Sequence, residues 1–478
     1  MASFPEKVRT LCDKLERNNA WRQKECFNLI PSESTPSLLV KMCEISDPAG
    51  RYAEHRAMKG QEVYFYQGID FIRDVEAEAQ RELGQYFGCS EVELRPVSGQ
   101  MANEVVFKGV VKFLNRGRAE GQLSRRMRCV MNNDLNMGGH LSSQPMGALF
   151  NFVEEDPATG KERVVHIPVH KDNPYKPDAA ALPELLERAK PELVVFGKSM
   201  FLYPEPVKAV ADAVAAWPQR PVLMFDMAHV LGLYGAFQAP LQEGADVVTG
   251  STHKTFFGTQ RGVVAGSFPK DGPFRPLWLE IRSRAFPGST SNHHLATLVG
   301  LLMATYEMNE FKAGFQAQVR ANAKAFAKAL KTAGIPVEGD PADGYTETHQ
   351  VIIRVKSFGP GEVIARRLED NNIVTNYQAL PDDTTFLESS GVRIGVQEMT
   401  RFGMREKHFD ELAGYVADVV IRNKNVKDAV KAYRRNFLEM GYCLPKDEAV
   451  TLAARVFASA VPYPDFVGRF TDNLRKFA

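Results

Sequence analysis

Three short apolar runs, separated by stretches of helical spacing, constrain the fold of this chain more than any other feature. They are Leu193 to Phe196, Val222 to Phe225 and Val247 to Thr249. Short strands that are apolar throughout are typical of a parallel sheet that helices cover on both faces. The pattern therefore predicts an α/β domain with a mainly parallel sheet, and we expect this large domain to span residues 70–305.

The segments on either side of this domain have other patterns. Residues 1–69 begin with helical spacing and then become rich in Pro, Gly and Tyr, which indicates an N-terminal arm that leads into active-site loops. Beyond the large domain, a long helix around Phe311 to Leu330 stops before Gly334, and strands are predicted at 350–355 and 391–395. We therefore expect residues 306–478 to form a smaller α+β domain with a helical C-terminal tail.

Composition narrows the class of protein. With 59 basic and 58 acidic side chains the formal charge is +1, so nothing favours a nucleic-acid partner, and we expect a small-molecule substrate. The start of the chain lacks the apolar segment of a signal peptide, and no run of about 18 apolar residues occurs. A cytoplasmic protein without a membrane partner is expected. The six cysteines have no CxxC pairing, and His293 and His294 lack a third ligand, so no metal site is expected.

Polar residues directly after two of the apolar runs are the first candidates for chemistry, because ligands of open α/β sheets bind beyond the carboxyl ends of the strands. Asp226 follows one run, with His229 close behind it, and His253 and Lys254 follow another. A lysine can hold an aldehyde as an imine, and a carboxylate can keep the pyridine nitrogen of pyridoxal 5'-phosphate protonated. We therefore interpret Lys254 and Asp226 as residues that bind this cofactor.

The phosphate of such a cofactor needs backbone N–H donors at the start of a helix. Ser98, Gly99 and Gln100 precede the helical pattern of Met101 to Leu114, and we predict that they bind the phosphate. Each of these features alone is common. Their order along one α/β domain indicates a pyridoxal phosphate enzyme.

Longer motifs around these residues resemble the serine hydroxymethyltransferase family. The motifs are Phe225-Asp226-Met227-Ala228-His229-Val230, Gly244-Ala245-Asp246-Val247-Val248, Ser251-Thr252-His253-Lys254-Thr255, Asn28-Leu29-Ile30-Pro31-Ser32-Glu33, Arg51-Tyr52-Ala53-Glu54, Ser98-Gly99-Gln100-Met101-Ala102-Asn103 and Gly391-Val392-Arg393-Ile394-Gly395. The resemblance extends over about residues 25–420. It implies the aspartate-aminotransferase-like fold, pyridoxal phosphate fold type I, with a seven-stranded sheet. It also implies a homodimer in which each active site is built from both chains.

The same resemblance implies a role for each candidate residue. Lys254 would carry the cofactor as a Schiff base, Asp226 would contact its pyridine nitrogen, and Arg393 would grip the substrate carboxylate with its planar fork. Glu54, presented across the dimer interface, would carry the proton when the serine hydroxyl is released or transferred. The other implied cofactor residues are Ser98, Gly99, Gln100, His140, Ser199, His229 and His253, and the other substrate residues are Ser32, Tyr52 and Tyr66.

Several positions depart from the family pattern. Ser143 stands where the family has a histidine that stacks on the cofactor ring, so either His140 takes that role or the pocket is more open to a bulkier substrate. Gln378 stands in place of an asparagine at a pterin contact. The segments 289–294, 348–350 and 395–397 look more like the L-threonine transaldolase branch of the superfamily, whose members need no folate.

The resemblance implies reversible cleavage and formation of the Cα–Cβ bond between glycine and a β-hydroxy amino acid. L-serine and tetrahydrofolate are the expected substrates of a serine hydroxymethyltransferase. The alternatives are a folate-independent L-threonine transaldolase or aldolase and an α-methylserine hydroxymethyltransferase. Outside the enzymes, a catalytically silent binding protein of the same fold is a further alternative.

Overall fold

The computed structural model describes residues 2–118, 122 and 124–476. In chain order its helices are α1 (Phe4–Ala20), α2 (Leu38–Glu44), α3 (Asp70–Phe87), α4 (Gly99–Leu114), α5 (Leu182–Ala189), α6 (Val207–Val214), α7 (Arg275–Ala285), α8 (Leu295–Thr332), α9 (Gly361–Asp370), α10 (Gln397–Arg401), α11 (His408–Val420), α12 (Lys427–Arg434), α13 (Lys446–Ala460) and α14 (Phe466–Leu474). Its strands are β1 (Phe27–Asn28), β2 (His55–Met58), β3 (Gln61–Tyr64), β4 (Glu91–Glu93), β5 (Val130–Asn132), β6 (Val164–His166), β7 (Leu193–Phe196), β8 (Val222–Asp226), β9 (Val247–Ser251), β10 (Gly262–Gly266), β11 (Gln350–Arg354), β12 (Ile373–Val374), β13 (Asn376–Gln378) and β14 (Gly391–Gly395).

A seven-stranded sheet in the order β4-β10-β9-β8-β7-β5-β6 forms the centre of the molecule. Strands β9, β8, β7, β5 and β6 run parallel to one another, whereas β10 runs antiparallel to both β9 and β4. The predicted α/β fold with a mainly parallel, seven-stranded sheet is therefore confirmed.

Both faces of this sheet are covered, which explains why its strands are apolar throughout. In β8, Leu223 and Phe225 pack into one cluster of buried side chains that includes α3 and α8. Val222 and Met224 point to the other face and pack with α4 and α7. Because each buried apolar side chain contributes roughly 1.5–3 kcal/mol, these strands are fixed firmly, and so are the polar residues that follow them.

A three-stranded antiparallel sheet in the order β11-β14-β13 lies in the C-terminal half. Helix α9 packs against β13 and β14, and α11 packs against α8 and α9. Strand β1 of the N-terminal arm pairs in parallel with β12, with Phe27 opposite Ile373, which ties the arm to this part of the chain. The 38 residues of α8 run through the boundary expected between 305 and 306, and the three-part division of the chain stays a prediction.

The C-terminal tail is helical, as its spacing predicts. Helix α13 packs against α2 through Ala449, Ala453 and Leu39. In the stretches 2–118 and 124–476, none of the helices combines the length and the apolarity that crossing a bilayer would need.

Candidate active site

The carboxyl ends of β7, β8 and β9 meet at one edge of the large sheet. The three strands are adjacent and parallel, so Ser199, Asp226 and Lys254, which lie at or just beyond these ends, share that edge. Gly197 allows the chain after β7 to pass close to the backbone of Asp226. Its φ is +129°, and a Cβ there would come within 2.4 Å of the Asp226 carbonyl oxygen. Arg393 reaches the same edge from the small sheet, and its Nη1 donates to the carbonyl of Ser199 at 2.6 Å.

Asp226 is held by three donors inside the protein. Asn103 Nδ2 donates to its Oδ2 at 2.7 Å, the backbone N–H of Ala228 donates to its Oδ1 at 3.0 Å, and His140 Nδ1 also contacts Oδ2. Burial alone would raise the pKa of Asp226, but the charge and hydrogen bond of His140, with the other donors, hold it below its ordinary value. The group is therefore a carboxylate at neutral pH and can stabilise a positive charge on a ligand.

The amine of Lys254 is easier to deprotonate than an ordinary lysine. The residue is only 8% exposed. Burial lowers its pKa to about 8, with the negative charge of Asp226 opposing this shift and the positive charge of Arg393 adding to it. A useful fraction of neutral amine is therefore present near neutral pH, as attack on an aldehyde requires.

Three histidines around Lys254 are kept neutral by their surroundings. Burial, followed by the charges of Lys254 and Arg393, lowers the pKa of His229 far below its ordinary value. Burial and Lys254 lower the pKa of His253 to about 4, and burial is also the main cause that lowers the pKa of His349 to about 3. Neutral rings can bind a ligand without adding positive charge to a site that already holds a lysine and an arginine.

Arg393 is buried, and the groups that accept its hydrogen bonds are neutral. Within the described residues its hydrogen bonds run to the carbonyl of Ser199 and, at 3.4 Å, from Nε to Asn376 Oδ1. Burial lowers the pKa of the guanidinium to about 10, which still leaves it charged at neutral pH. Because a buried charge without a counter-ion is costly, this position favours an anionic ligand such as a carboxylate.

The N-terminus of α4 lies against β9 and β10. Ser98 caps the helix, its Oγ accepting the N–H of Met101 at 3.1 Å. A Cβ on Gly99 would meet Ser251 Oγ at 2.1 Å, and a Cβ on Gly262 would meet the Ser98 carbonyl oxygen at 2.1 Å, so glycine is what allows this contact. Ser98 and Gln100 are exposed, which leaves the first N–H groups of the helix open to an anion.

These groups fit pyridoxal 5'-phosphate. The cofactor needs a carboxylate for its pyridine nitrogen, an amine for its aldehyde and N–H donors for its phosphate, and all three types of group line one sheet edge. Asn103 of α4 connects two of them, because it donates to Asp226 and accepts from Thr249 Oγ1 at 2.5 Å. Ser199 belongs to the same pocket, and its Oγ donates to the carbonyl groups of Gly138 and Gly139, each at 3.3 Å.

Tyr52, Glu54 and Tyr66 lie together at the base of the β2–β3 hairpin. The rings of Tyr52 and Tyr66 are 5.2 Å apart, and these residues are 49% and 40% exposed. Burial, then the neighbouring Glu54 and Tyr52, raise the pKa of Tyr66. In the described part of the chain, the hydrogen bonds and ring contacts of these residues involve neither Lys254 nor Asp226. Within one chain, Glu54 and the two exposed tyrosine rings therefore lie apart from the buried pocket around Lys254.

Ser32 lies in the loop after β1, close to the strand that carries Arg393. Its neighbour Pro31 accepts a contact from His349 Nε2 at 3.1 Å. The same proline packs against Gly395 at the end of β14, where a Cβ would come within 2.6 Å of the Pro31 Cα.

The positions that depart from the family pattern differ in their surroundings. Ser143 is buried and its Oγ donates to the carbonyl of His140 at 2.9 Å, so the serine shapes the loop of the histidine. The His140 ring contacts Asp226 and lies edge-on to His229, with ring centroids 5.6 Å apart. Gln378 is two residues after Asn376 on β13 and therefore on the same face of that strand. Among the described residues, no group of three or more His, Cys, Asp or Glu side chains could hold a metal ion.

Sequence reasoning assigned no role to three residues of the pocket. Asn103 fixes Asp226, and His349 lies under the loop of Ser32. Gln350 Nε2 donates to the Ser199 carbonyl at 3.1 Å and lies 3.5 Å from His229 Nδ1. The available signal was that Asn103 and His349 belong to motifs already noted, and that a glutamine directly precedes the apolar residues 351–353 of β11.

Comparisons with known proteins agree with this geometry. The model of the serine hydroxymethyltransferase family matches residues 7–416. A serine hydroxymethyltransferase from Pyrobaculum islandicum is 36% identical over 443 residues, which cover 92% of this chain and 95% of the relative. One from Staphylothermus marinus is 36% identical over 446 residues, with 92% and 93% covered.

A solved structure is similar over nearly the whole chain. It is the crystal structure of L-threonine transaldolase from Pseudomonas fluorescens in the internal aldimine state, with 25% identity and a TM-score of 0.78. The match covers 94% of this chain and 97% of the transaldolase. Together these similarities confirm pyridoxal phosphate fold type I and an enzyme of the pyridoxal 5'-phosphate-dependent transferase class. Because the family model and relatives at 36% identity both extend over most of its length, the chain belongs to the serine hydroxymethyltransferase family.

Proposed function

We propose that this protein transfers the hydroxymethyl group of L-serine to tetrahydrofolate, forming glycine and 5,10-methylenetetrahydrofolate in a reversible reaction. Membership of the family supports the coarser statement, pyridoxal phosphate-dependent cleavage of a Cα–Cβ bond. The observation that carries the proposal is that a lysine with a lowered pKa, a carboxylate and a buried arginine meet at one sheet edge, and that this arginine forms no ion pair with the described residues. The three residues are Lys254, Asp226 and Arg393.

When bound, pyridoxal 5'-phosphate supplies an electron sink for the electron pair left on Cα after the Cα–Cβ bond breaks. Lys254 would bind its aldehyde carbon, and Asp226 would hold a proton at its pyridine nitrogen. Ser98, Gly99 and Gln100 would bind the phosphate at the start of α4. The residues that would line the ring are His140, Ser199, His229 and His253.

The substrate would be oriented from the small sheet. Arg393 would bind the α-carboxylate through its planar guanidinium, and Ser32 and Tyr66 would contact the rest of the amino acid. Fixing the carboxylate sets the direction of the bond that breaks at Cα, because the atoms around Cα are then held at two points.

Glu54 would move the proton of the substrate hydroxyl, together with the neighbouring Tyr52. Both residues belong to the group at the base of the β2–β3 hairpin, in which Tyr52 is exposed and Glu54 is half-buried. We therefore propose a homodimer in which the hairpin of one chain faces the pocket of the other. The exposure of Tyr52 and Tyr66 in one chain, combined with the need for a proton carrier at the substrate, supports this arrangement.

A second candidate function is folate-independent L-threonine transaldolase activity. The structural similarity to the transaldolase from Pseudomonas fluorescens favours it. Gln350 favours it too, because this residue of the transaldolase-like segment 348–350 lies in the pocket beside Ser199 and His229. An α-methylserine hydroxymethyltransferase has no such observation in its favour.

Glycine formation by the cofactor-loaded protein tests the proposal. L-serine is supplied with and without tetrahydrofolate, and L-threonine is supplied in parallel with acetaldehyde as the product measured. Strong acceleration by folate is the expected result, with Lys254→Ala as the blank. Serine turnover that ignores folate, with ready release of acetaldehyde from threonine, would replace the proposal by the transaldolase or aldolase reaction.

A further inference from the structure

A buried group of titratable side chains lies beneath the β2–β3 hairpin, and the proposed reaction does not use it. Its members are His55 at the start of β2, Glu76 of α3 and His293 before α8, called here the Glu76 cluster. They are 3%, 3% and 0% exposed. Glu76 Oε1 is 3.5 Å from His55 Nε2, and Glu76 Oε2 is 3.8 Å from His293 Nε2. Glu76 therefore lies between two imidazole rings inside the protein.

The backbone determines which nitrogen of His55 carries the proton. Nδ1 of His55 lies 3.1 Å from the carbonyl oxygen of Ala53, which can only accept, so Nδ1 is the nitrogen that donates. In a neutral ring Nε2 then has a lone pair, and this lone pair faces Glu76 Oε1. A carboxylate and a lone pair would repel each other there, whereas one proton between them makes a hydrogen bond.

Charged and titratable groups face this pair from every side. From β3 they are Glu62, whose Oε2 is 3.9 Å from His55 Nε2, and Tyr64, whose ring stacks on His55 at 4.5 Å. From the other elements they are Glu93, Arg95, Arg261 and His294. Arg95 is paired with Glu93, and Arg261 donates to the carbonyl groups of Leu94, His293 and His294.

Burial decides where the proton resides. Burial raises the pKa of Glu76 to about 8, Arg95 opposes the shift, and Glu93 adds to it. Burial and the positive charge of Arg95 lower the pKa of His55. At neutral pH the proton is therefore on Glu76, whose Oε1 lies 3.5 Å from His55 Nε2, and above about pH 8 it is lost.

We infer that this shared proton clamps the β2–β3 hairpin onto α3, and that Glu76 is a positioning residue for Glu54. The inference rests on the proposed function, because it takes Glu54 as the proton carrier. His55 follows Glu54 in the chain, so fixing the His55 ring between Glu76 and Tyr64 fixes the direction in which Glu54 leaves the hairpin. Arg95 also holds the backbone of His55 in place, because its Nη1 donates to the His55 carbonyl at 3.0 Å.

Loss of the proton has a defined consequence. The Nε2 lone pair of His55 then faces a carboxylate, and the ring can restore a hydrogen bond only by moving its proton from Nδ1 to Nε2. That change breaks the contact of Nδ1 with the Ala53 carbonyl. Either state loosens residues 53–55, so alkaline pH weakens the hold on Glu54.

Amide hydrogen exchange of residues 53–66 in the cofactor-loaded protein tests the clamp directly. Protection factors at pH 7 and pH 9 are compared for wild type, Glu76→Gln, Glu76→Leu and Asp74→Asn, an exposed control on the same helix. We expect protection in the wild type and in Asp74→Asn to fall about tenfold at pH 9. Glu76→Gln, which donates from an amide at any pH, should keep its protection, and Glu76→Leu should be unprotected at both. Equal pH dependence in the wild type and in Glu76→Gln overturns the clamp.

Activity measured in the same samples separates this inference from the proposed function. Folate-dependent glycine formation should fall at pH 9 in the wild type more than in Glu76→Gln. Threonine cleavage should fall equally in both. Exchange results as expected, with no folate-dependent turnover at any pH, would support the clamp and overturn the proposed function. Loss of the exchange difference with folate-dependent turnover intact would overturn the clamp and support the proposed function.

Discussion

The pocket around Lys254 and the hairpin that carries Glu54 are built on opposite principles. Lys254, Asp226 and Arg393 are 8%, 2% and 7% exposed, and the surrounding protein shifts the pKa of each. Tyr52 and Tyr66, beside Glu54, are 49% and 40% exposed. One chain therefore buries the residues proposed to bind the cofactor, whereas the proposed proton carrier is half-buried beside two exposed rings. We therefore expect that mutations can separate binding of the cofactor from transfer of the substrate proton.

The largest effect is expected from Lys254→Ala, which removes the only group of the pocket proposed to bind the cofactor covalently. Turnover should fall by about 10³-fold or more, because no other neutral amine is proposed at this position. Borohydride reduction followed by peptide mass analysis measures the loss of the covalent link, and circular dichroism checks the fold. Full turnover in the variant would show that the reaction does not need Lys254 to bind the cofactor covalently.

Glu54→Gln should impair the reaction without affecting the binding of the cofactor. Folate-dependent serine cleavage should fall by about 10²- to 10⁴-fold, since a general acid–base group is lost, while cofactor absorbance stays unchanged. Threonine cleavage should fall less. Arg56→Gln, an exposed position of the same hairpin, is the matched control. Equal losses in both reactions would show that Glu54 does not act on the transfer step.

Arg393→Lys should weaken substrate binding more than chemistry. A lysine keeps the charge but loses the planar, two-point contact with a carboxylate, so KM for the amino acid should rise about 10- to 100-fold. Arg354→Lys on neighbouring β11 is the control, because this arginine pairs with Glu338 and Asp382 instead. An unchanged KM would leave the buried guanidinium without a role in the substrate site.

The smallest effect concerns the pH at which the apoprotein takes up its cofactor. The folded-state pKa of Lys254 is lowered to about 8, so the neutral amine is scarce below that pH and dominant above it. The rate of uptake, followed by absorbance, should rise through about pH 8 and then level off. In Arg393→Met the midpoint should move to higher pH, because a positive charge that favours the neutral amine is gone. A midpoint near that of free lysine would contradict burial as the cause.

The fold and the pocket were not equally readable from the sequence. Strand β7 has the bounds that its apolar run predicted, because a strand buried on both faces needs apolar residues at every position. Asp226 and Lys254 were found for the same reason, since Asp226 directly follows one such run and Lys254 lies shortly after another. Asn103 and Gln350 received no role, because their contacts join segments more than a hundred residues apart and no local pattern records such pairs. Glu76, the buried partner of His55, also received no role, because this contact joins the β2–β3 hairpin to helix α3 and no local pattern records it.

The most direct test of the account is whether one active site needs two chains. Lys254→Ala and Glu54→Gln are each nearly inactive by prediction, and co-expression with two different tags allows the mixed dimer to form. In half of the randomly paired dimers one site then has an intact Lys254 from one chain and an intact Glu54 from the other. We predict recovery of about a quarter of wild-type folate-dependent activity. Activity no higher than that of the separate variants would contradict the shared site.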